Sequence, residues 1–367
     1  MFKLKCDDFL IYDEATGTYS MSAEQQVRDE TEKNKWKSTG FTLLKDWRLY
    51  LMLVPLLLVY LLWRYLPMTN LLTAFKYADT GGATNANEYD WYGLTNFKDL
   101  FFSSTSYQFW QAFRNTFIIA FYGLLFGFPF PIILALFFNE VKSNITRSIL
   151  QVCVYLPKFM STVIITSLAI VLFRGPTKDG TTEGVGVITQ FLLAITPKDG
   201  PLHNVVTSVQ GRYGLVFTPR YFRAIYQITG IWEHGGYDSI VFFGAVIAIS
   251  PTSYEAAQID GAGKMAQMRY VVLPGILSTV VIMLIMKVGS LLSVGYEKVY
   301  LMEKSTNYEA ADIVATLANR WSDPNVSGGG GNEVLGIAAE MVNNLIGMIL
   351  VLGANAVAKR ASDVSLY

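Results

Sequence analysis

The 367-residue chain is 52% hydrophobic and only 16% charged, and its mean hydropathy is +0.33. This composition excludes an ordinary soluble domain and indicates an integral membrane protein. The formal net charge of zero gives no support for binding to nucleic acid.

Residues 1–48 form a polar N-terminal arm of mixed charge, within which residues 24–37 are expected to form a solvated helix or a disordered segment. The arm lacks the apolar core and cleavage site of a signal peptide, so the first membrane span is expected to act as the targeting signal. Cys6 in this arm and Cys153 in a predicted span are not expected to form a disulfide.

Residues 49–358 are predicted to form a domain of six transmembrane helices, followed by a short cytoplasmic tail at 359–367. Each apolar segment is close to the roughly 20 residues that a helix needs to cross a bilayer. The predicted spans are about 49–75, 113–138, 149–173, 222–250, 274–294 and 334–355. Residues 174–221 are predicted to be an extracellular insertion that is partly ordered as a small lid or hairpin.

The Lys and Arg residues near the span ends give the orientation of the chain. They are modestly enriched on the side that carries the N-terminal arm and the loop at 251–273. Because positive residues favour the cytoplasmic side, both termini and this loop are predicted to be cytoplasmic.

The loop at 251–273 is polar and favours helix, although it lies between two apolar segments. Thr252 and Glu255 have the spacing of a capping box, and Gly261 and Gly263 permit a sharp turn. These residues predict a short helix, a turn and a second helix that leads into the next span.

Several stretches resemble the binding-protein-dependent permeases of ABC importers. Within the loop, Glu255-Ala256-Ala257, Asp260-Gly261-Ala262 and Leu273-Pro274 are similar to the EAA loop of that family. Outside the loop the similarity covers most of residues 41–360, through stretches such as FKYADTGG, YGLTNFKDLF, VYLPKFMSTVI and SVGYEKVYLM. The chain resembles most the oligosaccharide and polysaccharide permeases of Gram-positive bacteria.

This resemblance implies an all-α membrane protein with the type I ABC importer permease fold and a cytoplasmic coupling helix. It implies a heterodimer with a second permease, two cytoplasmic ABC ATPases, and a lipid-anchored extracellular solute-binding protein that delivers an oligosaccharide. The chain would sit in a bacterial cell membrane and would not be an enzyme, since ATP and Mg would bind to the partner ATPases. The residues implied in ATPase coupling are Glu255, Ala256, Ala257, Asp260, Gly261 and Ala262.

Polar side chains inside spans are the candidates for the substrate pathway, because they are costly to expose to lipid. Glu340, Asn343 and Asn344 share one face of the sixth predicted helix, and Lys287 in the fifth is a candidate ion-pair partner of Glu340, with a substrate or a purely structural role. Residues that suit a sugar ring, or else a membrane-interface belt, are Trp232, Glu233, His234, Tyr237 and Asp238 in the fourth predicted span, and Tyr296, Glu297 and Tyr300 just beyond the fifth.

Three alternatives remain open. An ABC permease for a non-sugar solute has the same sequence features, whereas an ion-coupled secondary transporter would need no ATPase. A membrane scaffold protein would have packing faces without a polar cavity. His203 and His234 lack the spacing of metal ligands, so no metal site is expected.

Overall fold

The computed structural model describes residues 10–13, 18–21, 47–76, 90–176, 184–197, 200, 206, 213–323 and 333–361. These residues are predominantly helical, which confirms the predicted fold class. The chain divides into two compact units, Met1–Thr69 and Asn70–Tyr367.

The first unit contains a hairpin that the sequence analysis missed. Strand β1 (Leu10–Asp13) pairs antiparallel with β2 (Thr18–Met21), with Leu10 opposite Met21. Aromatic and β-branched residues such as Ile11 and Tyr19 favour strand. The expectation of a solvated helix or disordered segment concerns residues 24–37, which lie outside the described residues. The remainder of the arm up to residue 46 lies outside the described residues.

The first span begins with α1 (Trp47–Tyr60) and continues through a π-helical turn at Leu61–Tyr65 and a 3-10 segment at Thr69–Phe75. The stretch Tyr50–Phe75 is long and apolar enough to cross a membrane. Large apolar side chains such as Met52 and Trp63 are not buried within their own unit. Lipid-facing surfaces have this character.

The second unit contains the other helices, some of which are bent or joined through short π or 3-10 segments. In chain order they are α2 (Thr95–Phe102), α3 (Ser106–Tyr122), α4 (Pro129–Glu140), α5 (Asn144–Tyr155), α6 (Thr162–Leu172), α7 (Val187–Ile195), α8 (Pro219–Ile247), α9 (Pro251–Ile259), α10 (Lys264–Gln267), α11 (Leu277–Gly289), α12 (Tyr296–Met302), α13 (Tyr308–Ala311), α14 (Val314–Ser322) and α15 (Glu333–Ala361).

Three stretches of the described chain could each cross a membrane alone, namely Tyr50–Phe75, Ser106–Glu140 and Glu333–Val357. Three further pairs of helices bring the number to as many as six if each bent pair forms one span. The bends are 97° between Asn144–Phe159 and α6, 68° between α8 and α9, and 60° between Lys264–Gly275 and α11.

The sharpest bend lies where the third span was predicted to break near Pro157. The helix ends in a 3-10 turn at Leu156–Phe159, and Ser161 starts α6 by accepting a hydrogen bond from the backbone N–H of Val163. A serine at this position satisfies an otherwise unpaired N–H group at the new helix terminus. The break is therefore a capped helix end followed by a new helix start.

The described part of the insertion at 174–221 is partly helical, and the segment predicted to form a small lid or hairpin, residues 203–222, lies partly outside the described residues. The described part contains α7 and a 3-10 turn at Leu215–Phe217, and α8 begins at Pro219. Leu215 and Phe217 are buried in a cluster with Phe222, so these apolar residues serve as core. Pro219 favours a helix start because its ring fixes φ near the helical value.

Helix α8 packs closely along α4 and α5 because it carries two adjacent glycines. A Cβ atom at Gly236 would lie 2.1 Å from the carbonyl oxygen of Val154, and one at Gly235 would lie 2.6 Å from the ring of Phe130. Any other residue would force these helices apart.

Between α11 and α15, the short helices α12 to α14 contain a buried polar cluster. The Arg320 guanidinium pairs with the Asp312 carboxylate and lies 4.2 Å from the Tyr308 ring centre. Burial raises the pKa of Asp312, and Arg320 only partly offsets that effect. Burial also raises the pKa of Glu303 to about 7, and one of its carboxylate oxygens has no hydrogen-bond partner in the described part of the chain.

Candidate functional site

A cavity of about 470 Å³ lies between α3, α8, α11 and α12. Its volume is within the range of small-molecule sites. Its wall mixes backbone and apolar atoms with polar side chains, among them Gln227, Glu233, Asp238, Lys287, Glu297 and Lys298. The wall therefore offers both apolar surface and hydrogen-bonding groups to a ligand.

A buried ion pair forms one side of this cavity. The Lys298 ammonium donates to the Glu233 carboxylate at 3.0 Å, and the Thr162 hydroxyl donates to the same carboxylate at 3.2 Å. Glu233 is 4% exposed and Lys298 is 6% exposed. The Lys298 ammonium also lies 5.3 Å from the ring centre of Tyr226, a favourable cation–π arrangement. Each charge is thus compensated, as burial requires.

Lys287 forms the second ion pair of the cavity, with its ammonium 3.2 Å from the Asp238 carboxylate. The prediction that Lys287 pairs with Glu340 is therefore wrong. Both α8, which carries Asp238, and α15, which carries Glu340, pack against the helix of Lys287, but the Lys287 ammonium meets Asp238 and Glu340 is exposed. This second pair is partly solvated, unlike the pair between Glu233 and Lys298.

Tyr296 and Glu297 line the same cavity at the start of α12. The Tyr296 ring stacks on Tyr300, with ring centres 5.5 Å apart and an interplanar angle of 21°. Glu297 is exposed, and it forms no ion pair within the described ranges. An aromatic face thus lies beside a carboxylate that is available to accept hydrogen bonds.

The other predicted pathway residues do not line this cavity. Asn343 and Asn344 line a second cavity of about 400 Å³, where the buried Asn343 amide donates to the carbonyl of Leu292 at 3.4 Å. Trp232 is exposed, and the Tyr237 ring packs edge-on against Phe159.

Trp232, Tyr237 and Glu340 contribute to neither of the two cavities. Helix geometry explains the division on α8, because adjacent residues point about 100° apart. A role for these three residues in the substrate pathway remains a prediction.

The sequence analysis placed His234 and Asp238 among the candidates that suit a sugar ring, but it missed Gln227, Gly230 and Lys298 of the first cavity. Gln227, Gly230, His234 and Asp238 recur at three- and four-residue spacing, so the helical period alone could have assigned them to one face of α8. Lys298 gave no such signal, since its partner lies 65 residues away in the chain. Within the described ranges, no group of three or more His, Cys, Asp or Glu side chains is arranged to hold a metal ion.

The loop between α8 and α11 has the predicted helix, turn and second helix. Helix α9 ends in a Schellman motif, in which the Ala262 N–H donates to the Ala257 carbonyl at 2.9 Å and the Gly261 N–H donates to the Gln258 carbonyl at 3.0 Å. Gly261 has φ of +75°, which explains the need for glycine at this position.

The start of α9 differs from the prediction. The N-cap residue is Ser250 and Pro251 is the first helical residue, so Thr252 lies inside the first turn. The Thr252 hydroxyl shares a hydrogen bond with the Ser250 hydroxyl at 2.7 Å, and the predicted capping box of Thr252 and Glu255 is not formed. Proline at this position favours the earlier start because its φ is already helical.

Much of the surface of α9 and its turn is exposed, including Glu255, Ala256, Asp260 and Gly261. Ile259 is 86% exposed and Met265 is 75% exposed, although both are apolar. The opposite side is anchored, since Tyr254 packs against the buried residues Val246, Val272 and Ile276. The loop thus combines a fixed inner side with an open outer surface of small and apolar residues.

Comparison with known proteins identifies relatives over most of the chain. Residues 127–294 match the family described as binding-protein-dependent transport system inner membrane component. Protein LplB of Bacillus subtilis (strain 168) is 33% identical over 323 residues, which cover 88% of this chain and 92% of LplB. The polygalacturonan/rhamnogalacturonan transport system permease protein YteP of the same organism is 32% identical over 337 residues, covering 92% of this chain and 95% of YteP.

A solved structure is also similar. One chain in the crystal structure of a bacterial alginate ABC transporter, in complex with alginate pentasaccharide-bound periplasmic protein, superposes with a TM-score of 0.73 at 33% identity. The match covers 89% of this chain and 98% of that chain. Together with the apolar helices of membrane-spanning length, these similarities confirm the family predicted from the EAA loop. The chain belongs to the binding-protein-dependent transport system inner membrane component family, and is a membrane-embedded permease subunit of an ABC transporter.

Proposed function

We propose that this permease imports an oligosaccharide, which an extracellular binding protein delivers and a cytoplasmic ATPase drives across the membrane. The observation that carries the proposal is helix α9 with its Schellman turn, anchored on one side and open on the other. The names of YteP and of the alginate transporter support a saccharide as the substrate.

The open side of α9 suits contact with another protein. Ala256 and Gly261 allow a partner surface to approach the backbone closely, while Glu255 and Asp260 offer carboxylates for directed contacts. Exposed Ile259 adds apolar surface that gains free energy when a partner covers it. We assign ATPase coupling to this surface, together with Ala257 and Ala262 in the turn.

The inner side of α9 offers a route by which movement reaches the spans. Tyr254 on α9 and Leu136 on α4 both pack against a buried cluster that includes Val246 on α8. Because packed apolar interiors resist deformation, a displacement of α9 would move these helices with it. Closure of the ATPases would then tilt the spans and open the cavity alternately to the two sides of the membrane.

The complete transporter would contain this chain, a second permease, two ATPase subunits that bind ATP and Mg, and a lipid-anchored binding protein. In this arrangement the loop at 251–273 and both termini face the cytoplasm, and residues 174–221 face outward. Tyr296 and Glu297 would contact the sugar in the first cavity, the aromatic ring covering an apolar sugar face and the carboxylate accepting from hydroxyls. Glu233 and Lys287 would help to shape the same cavity, and Asn343 and Asn344 the second one.

The test is copurification of this chain with its second permease and ATPase after coexpression. The ATPase should be retained by the wild-type complex and lost from Glu255→Lys, because the substitution reverses the charge of the contact surface. A matched control is Glu309→Lys, which changes an exposed carboxylate on α13 outside the loop. If the Glu255→Lys complex retains the ATPase and its stimulated ATP hydrolysis equals that of the wild type, the coupling assignment is refuted.

Substrate import is tested with the same complex in liposomes. Glycan-loaded binding protein should stimulate ATP hydrolysis, and uptake should stop when ATP is removed. Uptake that continues without ATP and stops when an ion gradient is dissipated would favour a secondary transporter instead. Stimulation by an amino acid or peptide but by no glycan would point to a non-sugar permease.

A further inference from the structure

We infer that the first cavity selects against uronate units and favours uncharged sugar units. The reason is that both lysine ammonium groups in its wall are already paired with carboxylates, and one further carboxylate has no ammonium partner there. The inference rests on the proposed function and specifies the class of saccharide.

The charges that line the cavity are unequal in number and in availability. The carboxylates belong to Glu233, Asp238 and Glu297, and the ammonium groups to Lys287 and Lys298. Both ammonium groups are already paired, with Asp238 at 3.2 Å and with Glu233 at 3.0 Å. One carboxylate, that of Glu297, is left without an ion-pair partner among the described residues.

His234 does not reverse this balance. Its Nδ1 atom lies 3.7 Å from the Glu233 carboxylate, which is already compensated by Lys298. An imidazole at neutral pH is mainly uncharged unless a partner holds its proton. Lys158 is close enough to act on His234 through its charge, but it does not line the cavity.

A uronate unit in this cavity would have to displace a carboxylate from Lys287 or Lys298, and it would also experience repulsion from Glu297. An uncharged unit meets neither cost, since its hydroxyl groups can donate to the Glu297 carboxylate while its ring covers Tyr296. Two like charges about 6 Å apart in a water-like dielectric repel enough to lower affinity by about threefold. The discrimination therefore grows with the number of uronate units near Glu297.

Direct binding to the assembled transporter tests the inference without the selectivity of the binding protein. Oligogalacturonides, oligomannuronides and oligoglucuronides are each compared with the same oligosaccharide after reduction of its carboxyl groups to hydroxymethyl groups. The members of each matched pair differ only at the sugar's carboxyl carbon, where a charged carboxylate is replaced by an uncharged hydroxymethyl group. Affinity is measured by calorimetry on the complete complex in lipid nanodiscs, for wild type, Glu297→Gln and the control Glu309→Gln.

In the wild type, the carboxyl-reduced member of a bound pair should bind more tightly than the uronide. Glu297→Gln should reduce the ratio of the two affinities, carboxyl-reduced over uronide, by about threefold for each nearby uronate unit. The substitution removes the unpaired charge and keeps the side-chain shape. Glu309→Gln should leave the ratio unchanged. Wild-type preference for uronides, or an unchanged ratio in Glu297→Gln, would overturn the inference while leaving glycan import intact. Binding of no member of any pair would overturn the proposed function as well.

Discussion

The buried pair between Lys298 and Glu233 provides a sharp test of the energetics of the cavity wall. Lys298→Met removes the ammonium but retains a long apolar side chain, so the packing around it changes little. The Glu233 carboxylate would then remain buried with only the Thr162 hydroxyl as an established donor. Removing one member of a buried pair typically costs about 3–5 kcal/mol of unfolding free energy.

The double variant Lys298→Met with Glu233→Gln should recover most of this loss, to within about 1 kcal/mol of the wild type, because no buried charge remains. Lys287→Met is the matched control. Its partner Asp238 is 29% exposed, so the loss of that partly solvated pair should cost less than about 1 kcal/mol.

The unfolding free energy of each variant is measured by titration with sodium dodecyl sulfate, followed by tryptophan fluorescence. A pH near 8 keeps His234 uncharged, so that it cannot replace the missing ammonium. The compensation of a buried charge is refuted if Lys298→Met loses no more unfolding free energy than Lys287→Met does. It is also refuted if the double variant is as unstable as Lys298→Met alone.

Three further predictions concern backbone packing and pH. Gly236→Ala should destabilise the protein by about 1–3 kcal/mol through a clash with a carbonyl of α5, whereas Gly244→Ala, which meets no atom within 4 Å, should be neutral or stabilising in the same titration. Gly261→Ala should cost about 1 kcal/mol because of its positive φ and should weaken stimulation of the ATPase, while the control Gly263→Ala, with φ of −67°, should leave stimulation unchanged. Burial raises the pKa of Glu303 to about 7, so the folded state favours its protonated form. The stability this provides is present at low pH and lost as pH rises from about 4.5 to 7, by up to about 3 kcal/mol, and thermal unfolding of Glu303→Gln should lack that decline. A pH profile of Glu303→Gln that matches the wild type would contradict the assignment of this pH dependence to Glu303. Equal unfolding free energies of Gly236→Ala and Gly244→Ala would contradict the packing argument. Equal ATPase stimulation in Gly261→Ala and Gly263→Ala would contradict the role given to the turn.

The membrane helices and the loop were predictable because their signals are local. Long apolar segments report membrane spans, and Gly261 reports a helix end because few other residues adopt a positive φ. The 97° bend before α6 was only partly visible, since Pro157 marks a weak point but does not give the angle. The hairpin at Leu10–Met21 was obscured by the polar composition of the surrounding arm.

The site was less predictable because its contacts join distant parts of the chain. Glu233 is an obvious candidate as a carboxylate within an apolar helix, but its partner Lys298 follows the fifth predicted span and resembles an ordinary surface lysine. Likewise, Lys287 was predicted to pair with Glu340, and although both α8 and α15 pack against α11, the structure pairs Lys287 with Asp238. Helix faces can be derived from sequence, whereas the pairing of faces depends on the tertiary structure.

The unbroken helical stretch Ser106–Glu140 has a mechanical consequence. At one point it lines the first cavity with Gly123, and 17 residues later it ends at Glu140, whose carboxylate contacts Lys264 beside the turn that follows α9. Those residues correspond to about 25 Å along a helix. A small tilt of the part that follows Gly127 would therefore act as a lever, moving Glu140 and the loop farther than it moves Gly123 in the cavity wall. The π-helical turn at Gly123–Gly127 lies close to the cavity end, where such a lever would need its pivot.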